Sequence, residues 1–220
     1  MQPCALLLFS HRRLLPCSIK TFCRRNIVSA NIRATAIRHF YWLTFVSANM
    51  NTPNIVVMGV AGCGKSSLGQ ALAAALSASY IEGDSYHPPE NIARMAAGIA
   101  LTDADRAGWL NLLAEQLAQG KTQGQQLVLA CSALKQRYRD TLRRGDPELL
   151  LVHLAGSQPL IAGRMAARSA HFMPTSLLDS QFADLEAPQA DSENVITLDI
   201  SQPLPVLLQQ VLQHISQRRS

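Results

Sequence analysis

The sequence has no Cys-x-x-Cys pair and no cysteine and histidine spacing that is typical of zinc sites, so we expect no structural zinc. Only two of its five cysteines, Cys63 and Cys131, lie beyond residue 49. Two cysteines make no disulfide framework, so we expect this part of the chain to fold in a reducing compartment. No uncharged apolar run reaches about 18 residues, so the sequence predicts no transmembrane helix. Charged residues make up 16% and hydrophobic residues 48%, which is the composition of a folded domain.

Acidic side chains are absent from the first 49 residues, which hold seven basic ones: Arg12, Arg13, Lys20, Arg24, Arg25, Arg33 and Arg38. Because the whole chain has 20 Lys and Arg and 15 Asp and Glu residues, the remainder carries 13 basic and 15 acidic residues, a net charge of −2. The pI of 9.2 therefore comes from the N-terminal segment. It gives no reason to expect nucleic-acid binding by the main domain, and we expect neither a nucleic acid nor a membrane as partner.

Three interpretations of residues 1–49 are open. An upstream start would add an unstructured leader to a domain that begins near Met50, shortly before a strand-like run at Ile55–Met58. A basic, acid-free segment with scattered Ser and Thr is also typical of organelle transit peptides. A basic arm for nucleic acid or membranes is the third choice. We favour the first, and expect a single cytoplasmic domain over residues 50–220.

Strand-like and helix-like segments alternate along that domain. Continuous apolar runs predict strands at 55–58, 80–82, 127–130, 149–154 and 195–200. Helical patterns lie between them, at 66–77, 88–97, 104–119, 134–144, 158–168, 175–186 and 204–217. Thr102 or Asp103 would cap the third helix, and Gly120 would end it. Apolar strands separated by helices favour an α/β fold with a parallel sheet covered on both faces.

Residues 59–66, Gly-Val-Ala-Gly-Cys-Gly-Lys-Ser, match the phosphate-loop pattern G-x-x-x-x-G-K-[ST], with a strand before and a helix after. Backbone N–H groups of such a loop surround phosphates, and the helix N-terminus adds partial positive charge. Lys65 would reach the β- and γ-phosphates of ATP, and the Ser66 hydroxyl would ligate Mg²⁺. The alternative is a plain glycine-rich turn. The ATP-binding residues predicted here are Gly59, Val60, Ala61, Gly62, Cys63, Gly64, Lys65, Ser66 and Ser67.

Two carboxylates, Glu82 and Asp84, follow the second predicted strand. The carboxyl end of that strand opens onto the same crevice as the phosphate loop. We expect Asp84 to act as the base for an attacking hydroxyl and Glu82 to lie on the Mg²⁺ side. The alternative for Asp84 is a residue that only forms the turn.

Several blocks of sequence together resemble the gluconokinases, ATP-dependent D-gluconate 6-kinases. They include Asp84-Ser-Tyr-His87-Pro, Ala130-Cys-Ser-Ala-Leu-Lys135, His171-Phe-Met-Pro174 and Ser180-Gln-Phe182, and the resemblance runs from about residue 54 to 205. It implies a P-loop kinase fold with a five-stranded parallel sheet, helices on both faces and a mobile lid. It also implies phosphoryl transfer from ATP with Mg²⁺ to the 6-hydroxyl of D-gluconate, and a homodimer. The leader has no counterpart in this pattern.

The resemblance adds substrate candidates, each with a plainer alternative. His87 would bind substrate or be a loop histidine held by the backbone. Arg94 and Arg106 would grip the gluconate carboxylate or be surface arginines, with Asp103 or Asp105 able to pair with Arg106. Further candidates follow later in the chain. Ser132 would contact substrate or a Mg²⁺-bound water, or cap the next helix. Arg139 is a weaker candidate in a helix whose other cations face solvent, while Trp109 and Phe182 are expected in the core.

A lid is expected over residues 169–174, between two predicted helices. Arg164 and Arg168 lie one helical turn apart, so they share a face, and lid arginines would neutralise charge on the transferred phosphoryl group. We expect Arg164 to bind ATP, Arg168 to be catalytic and His171 to touch substrate. Separately, Cys63 lies near Lys65 and a helix N-terminus, where thiol pKa values fall, so we expect alkylation at Cys63 to inhibit and MgATP to protect.

Two other functions compete with gluconate phosphorylation. One is a P-loop kinase for another small hydroxy acid such as shikimate, against which the Asp84-x-x-His87-Pro and His171-Phe-Met-Pro blocks argue. The other is a nucleotide-binding regulator or nucleic-acid-associated module that uses the leader as an arm. The placement of Asp84 and the slightly acidic main domain argue against it.

Overall fold

Five parallel strands form one sheet in the order β2-β3-β1-β4-β5. The computed structural model describes residues 52–167 and 176–218, which belong to the unit Val46–Ser220. The predicted leader 1–49, Arg168, His171 and the expected lid segment 169–174 lie outside the described residues. The strands are β1 (Ile55–Met58), β2 (Ser79–Glu82), β3 (Leu127–Ala130), β4 (Leu150–Ala155) and β5 (Val195–Asp199).

Helices cover both faces of this sheet, as the alternating pattern predicts. Those in the described ranges are α1 (Lys65–Leu76), α2 (Pro89–Ala96), α3 (Asp103–Thr122), α4 (Gln136–Arg143), α5 (Gln158–Ala166), α6 (Ser176–Asp184) and α7 (Leu204–Arg218). A short 3₁₀ turn, Gly83–Tyr86, follows β2. None of the helices in these ranges has the length and apolarity needed to cross a bilayer.

The central strand β1 is buried along its whole length. Val56 pairs with Leu129 of β3 on one side and with Leu151 of β4 on the other. Successive side chains of a strand point to opposite faces, so Val57 joins the core under α1 and α7, whereas Val56 joins the core under α3 and α4. The near-continuous apolar strands of the sequence are therefore the strands that two layers of helices bury.

The third predicted helix differs from expectation at one end only. Thr102 caps α3, and its hydroxyl and the carboxylate of Asp105 form a reciprocal capping box. Gly120 does not end the helix, and α3 continues to Thr122. A Cβ at Gly120 would come within 2.6 Å of the Leu127 side chain, so this glycine allows close packing instead. Gly124, with φ of 67°, supplies the left-handed residue just beyond.

Candidate active site

A cavity opens beside the carboxyl ends of β1, β2 and β3, where a parallel sheet of this kind binds ligands. Its walls come from the phosphate loop, the turn after β2, the first turns of α3, the loop after β3 and α6. The polar and charged side chains on these walls are Lys65, Ser66, Ser67, Glu82, Asp84, His87, Arg106, Ser132, Ser180 and Gln181.

The phosphate loop leads directly into α1. Gly59 and Gly64 have φ values of 137° and 106°, backbone that side chains with a Cβ rarely adopt, so the motif glycines shape the loop. Gly64, Lys65 and Ser66 line the cavity at the start of α1, whose first turn holds no acidic residue to offset its partial positive charge. The Lys65 ammonium donates to the Val60 carbonyl at 3.0 Å, inside the loop. This arrangement suits a polyphosphate.

Cys63 does not behave as expected from its neighbours in sequence. Only 1% of the residue is exposed, and it belongs to the core below the loop rather than to the cavity lining. A Cβ on Gly59 would lie 2.9 Å from the Cys63 sulfur, so the thiol fills the tight space beneath that glycine. Burial raises the pKa of the Cys63 thiol, and the nearby Lys65 charge does not reverse this. The prediction of a lowered thiol pKa was wrong.

The turn after β2 brings Asp84 and Glu82 to the cavity. Gly83 passes so close to β3 that a Cβ there would lie 2.5 Å from the Ala130 carbonyl oxygen, and the Trp109 indole N–H donates to the Gly83 carbonyl at 2.8 Å. The Tyr80 hydroxyl donates to Glu82 at 2.6 Å. The turn is thus held from both sides.

A magnesium ion would find suitable oxygen ligands at this edge. Mg²⁺ in kinases takes one or two protein oxygens and completes its shell with phosphates and water. The Ser66 hydroxyl and the Glu82 carboxylate both line the cavity and supply such oxygens. Among residues 52–167 and 176–218, no group of three or more His, Cys, Asp or Glu side chains could hold a metal ion by itself.

His87 stacks on Trp109, with ring centroids 4.0 Å apart and planes 17° from parallel. Its backbone N–H donates to the Asp84 carbonyl, but no hydrogen-bond partner is found for the imidazole Nδ1 in the structure. Burial, and then the charge of Arg106, lower the pKa of His87 to about 4. The ring is therefore neutral at neutral pH, and its side chain lies on the cavity wall.

Arg106 lies on the cavity wall within a ring of charged and polar groups. Its guanidinium donates to the Tyr138 hydroxyl at 3.1 Å and lies 3.7 Å from the Asp184 carboxylate. Lys135 pairs with both Asp184 at 3.0 Å and Asp103 at 3.2 Å. The alternative pairing of Arg106 with Asp103 or Asp105 is not what the structure shows, because Asp184 of α6 takes that place.

Of three other predicted site residues, two do not line the cavity and one does. Arg94 pairs with Asp105 at 3.3 Å, and Arg164 donates to the Ile200 carbonyl at 2.6 Å; neither lines the cavity. Ser132 does line it. The N-cap alternative for Ser132 is wrong, because α4 begins at Gln136 with Lys135 as its N-cap.

Arg139 is a correction to the predicted substrate set. Its residue is 1% exposed, and its guanidinium forms a bidentate pair with Glu193 at 2.8 and 2.9 Å. Its remaining nitrogen donates to the carbonyls of Leu134 and Glu186. These bonds hold the start of α4 against the chain before β5. Arg139 is a structural residue, since its donors are used inside the protein and it does not line the cavity.

Helix α6 supplies site residues that the candidate set did not include. Leu177, Ser180, Gln181 and Asp184 are spaced i, i+3, i+4 and i+7, so they share one face, and the first three line the cavity. The Gln181 side-chain oxygen accepts from the Ala61 backbone N–H at 2.6 Å. The Ser180-Gln-Phe182 block was the only signal of this contact, because nothing local relates α6 to a loop so far away in sequence.

Known proteins of similar sequence and fold cover most of this chain. The shikimate kinase family model matches residues 61–195. The chain is 40% identical over 162 residues to the thermosensitive gluconokinase of Escherichia coli strain K12, covering 74% of this chain and 87% of that protein. It is 44% identical over 160 residues to the gluconokinase of Gluconobacter oxydans strain 621H, covering 73% and 89%. A solved gluconokinase structure from Sinorhizobium meliloti 1021 matches with a TM-score of 0.69 at 45% identity, covering 75% and 92%.

Proposed function

Because this chain belongs to the gluconokinase family, and to the family that the shikimate kinase model describes, we propose that it phosphorylates D-gluconate. ATP is the phosphoryl donor, the 6-hydroxyl of gluconate is the acceptor, and the products are 6-phospho-D-gluconate and ADP. The observation that carries this proposal is that one cavity holds the phosphate loop with Lys65, the carboxylate Asp84 and the cation Arg106.

The donor half of the reaction falls to the phosphate loop and α1. Lys65 and the N-terminus of α1 hold the β- and γ-phosphates and stabilise negative charge as the phosphoryl group moves. Ser66 and Glu82 would hold Mg²⁺, which when bound neutralises phosphate charge. Tyr80 fixes the Glu82 carboxylate by donating to one of its oxygens. Arg164 is proposed to bind ATP, and Arg168 to neutralise charge on the transferred phosphoryl group.

Groups across the cavity from the phosphate loop bind and activate gluconate, the phosphoryl acceptor. Asp84 accepts the proton of the 6-hydroxyl as that oxygen attacks the γ-phosphorus. Arg106 pairs with the gluconate carboxylate, for which a planar guanidinium is suited. Neutral His87 and Ser132 hydrogen-bond to substrate hydroxyls. His171 and Arg94 stay as predicted substrate contacts, with Arg94 needing to exchange its Asp105 partner.

We also propose, from the resemblance, that the enzyme is a cytoplasmic homodimer. The two cysteines of residues 50–220, Cys63 and Cys131, are free and buried, which suits a reducing compartment. Light scattering on the purified chain measures the mass directly, and a single species near 24.0 kDa would count against the dimer.

The proposed reaction is tested by ADP release from the full chain with MgATP. D-gluconate, shikimate and no acceptor are compared, because the shikimate kinase family model keeps shikimate in contention. Asp84→Asn should lower kcat about 10²- to 10⁴-fold, the usual contribution of a positioned base. Asp140→Asn is the matched control, since Asp140 is exposed on α4 and pairs with Arg143.

Three outcomes would contradict the proposed reaction, and a fourth would contradict only the role of Asp84. Turnover that depends on shikimate rather than gluconate would move the chain to another acceptor. ADP release without any added acceptor would indicate transfer of the phosphoryl group to water, and no ADP release with any acceptor would leave a nucleotide-binding protein. An Asp84→Asn variant with wild-type kcat would remove Asp84 as the base and leave the substrate assignment standing.

A further inference from the structure

We propose that Gln181 is a positioning residue for the phosphate loop, holding its first half in the conformation that binds nucleotide. The inference rests on the proposed function in one respect, namely that the loop holds MgATP. Its foundation is the hydrogen bond from the Ala61 N–H to the Gln181 side-chain oxygen at 2.6 Å. The two residues are 120 positions apart, so this bond is a tertiary feature and not part of the loop motif.

Three backbone N–H groups of loop residues 59–63 have acceptors within the protein. Gly59 donates to the Ser132 carbonyl at 3.2 Å, Cys63 donates to the Val60 carbonyl at 3.4 Å, and Ala61 donates to Gln181. Of these three acceptors, Gln181 is the one that belongs to a side chain. It is therefore the one that a substitution can remove without altering the backbone.

The orientation of the Gln181 carboxamide follows from its partner. A backbone N–H can donate only to the oxygen end of a carboxamide, so the oxygen faces Ala61. A buried or half-buried amide without an acceptor is costly, so the bond determines the direction of the Ala61 peptide. The adjacent Gly62, with φ of 79°, has a backbone that would otherwise turn easily. Gln181 thus restrains the peptide that precedes Gly62.

Helix α6 is a firm base for this contact. Leu178 is 2% exposed in the core below the loop, and Phe182 packs against that core. Asp184 at the end of the helix pairs with Arg106 and Lys135. Gln181 therefore projects from a helix that is anchored by apolar packing on one face and by ion pairs at its end. A side chain held in this way can pre-order the loop, which lowers the cost of ordering it when nucleotide binds.

The test compares Gln181→Leu, which removes the acceptor at similar size, with Gln209→Leu, the same change at an exposed position of α7. We expect the Kd for MgATP to rise about three- to tenfold in Gln181→Leu, the effect of one hydrogen bond, and to stay unchanged in Gln209→Leu. The KM for gluconate should change less than the Kd for MgATP. Hydrogen exchange at the Ala61 amide should become faster in Gln181→Leu, with only a small fall in the melting temperature, as for the loss of one hydrogen bond.

Two further variants keep the inference open to refutation. If Gln181→Leu does not fold, Gln181→Asn, which is one methylene too short to reach Ala61, should give the same pattern. Gln181→Glu keeps an acceptor but adds negative charge beside the phosphates, so Ala61 exchange should stay slow while MgATP binding weakens, most at low salt. Wild-type MgATP affinity and wild-type Ala61 exchange in both Gln181→Leu and Gln181→Asn would overturn the inference. MgATP affinity and hydrogen exchange at Ala61 are both measured without gluconate or another phosphoryl acceptor. Failure of gluconate turnover would therefore count against the proposed function alone.

Discussion

Replacing Arg139 with methionine should destabilise the fold and leave substrate affinity almost unchanged. The Arg139 guanidinium is enclosed, with two nitrogens on the Glu193 carboxylate and a third on the carbonyls of Leu134 and Glu186 at 3.0 and 2.9 Å. Methionine would fill much of the space without supplying a donor. The buried carboxylate and two carbonyls would then lose their strongest partner.

The size of the loss in stability depends on the bonds that Glu193 keeps after Arg139 is replaced. Glu193 would keep Arg143 at 2.6 Å and the Gln189 N–H at 3.2 Å, so the carboxylate would be weakened in its pairing but not isolated. Removing one partner of a buried ion pair costs about 3–5 kcal/mol. For a domain of this size each kcal/mol lowers the melting temperature by about 2–4 °C, so a loss of roughly 10 °C is expected.

Urea unfolding and thermal melting measure this loss, and the gluconate assay on the same samples measures KM. Arg137→Met is the matched control on α4, because the Arg137 side chain is 59% exposed and its pairing with Asp103 is worth about 0–1 kcal/mol. Adding Glu193→Leu to Arg139→Met should recover part of the stability, since the buried carboxylate that has lost its bidentate partner is then gone. The reasoning would be refuted by a variant of wild-type stability whose KM for gluconate rises tenfold or more.

Two further predictions concern single side chains. The Cys63 thiol should resist alkylation in the folded chain at neutral pH and react fully in denaturant, because burial raises its pKa and hides the sulfur. Peptide mapping after labelling measures the extent of alkylation at Cys63. Rapid labelling of the folded chain that MgATP blocks would contradict the prediction. The free energy of unfolding should fall as pH falls from 6.5 toward 4, because the unfolded chain then binds a proton at His87 that the folded chain does not. His87→Gln should reduce that pH dependence in parallel urea titrations, and an identical slope would show that other groups cause it.

Local sequence was sufficient for the strands, the loop and most helix bounds. Ile55–Met58 and Leu127–Ala130 are apolar runs whose neighbours break the pattern, and the structure has strands at those bounds. Thr102 and Asp105 form a capping box from residues three apart. Such features depend on chemistry within a few residues, so they can be predicted without knowing the fold.

Long-range packing decided which side chains serve the site. Arg139 and Arg106 both lie on predicted helices as charged residues near the crevice. Arg139 is buried in an ion pair with Glu193, whereas Arg106 pairs with Asp184 and stays on the cavity wall. Cys63 follows the same logic, because its exposure depends on the core beneath the loop and not on the neighbouring lysine.

The sequence by itself determined that this chain has a phosphate loop between a buried strand and a helix, with carboxylates at the end of the next strand. These are local patterns, and the topology of a parallel sheet then brings them to one edge. Only the tertiary structure decided that Gln181 of α6 meets Ala61 and that Arg139 is turned inward. Hydrogen bonds and burial between distant segments depend on how helices pack across the sheet, and no periodicity within either segment encodes that.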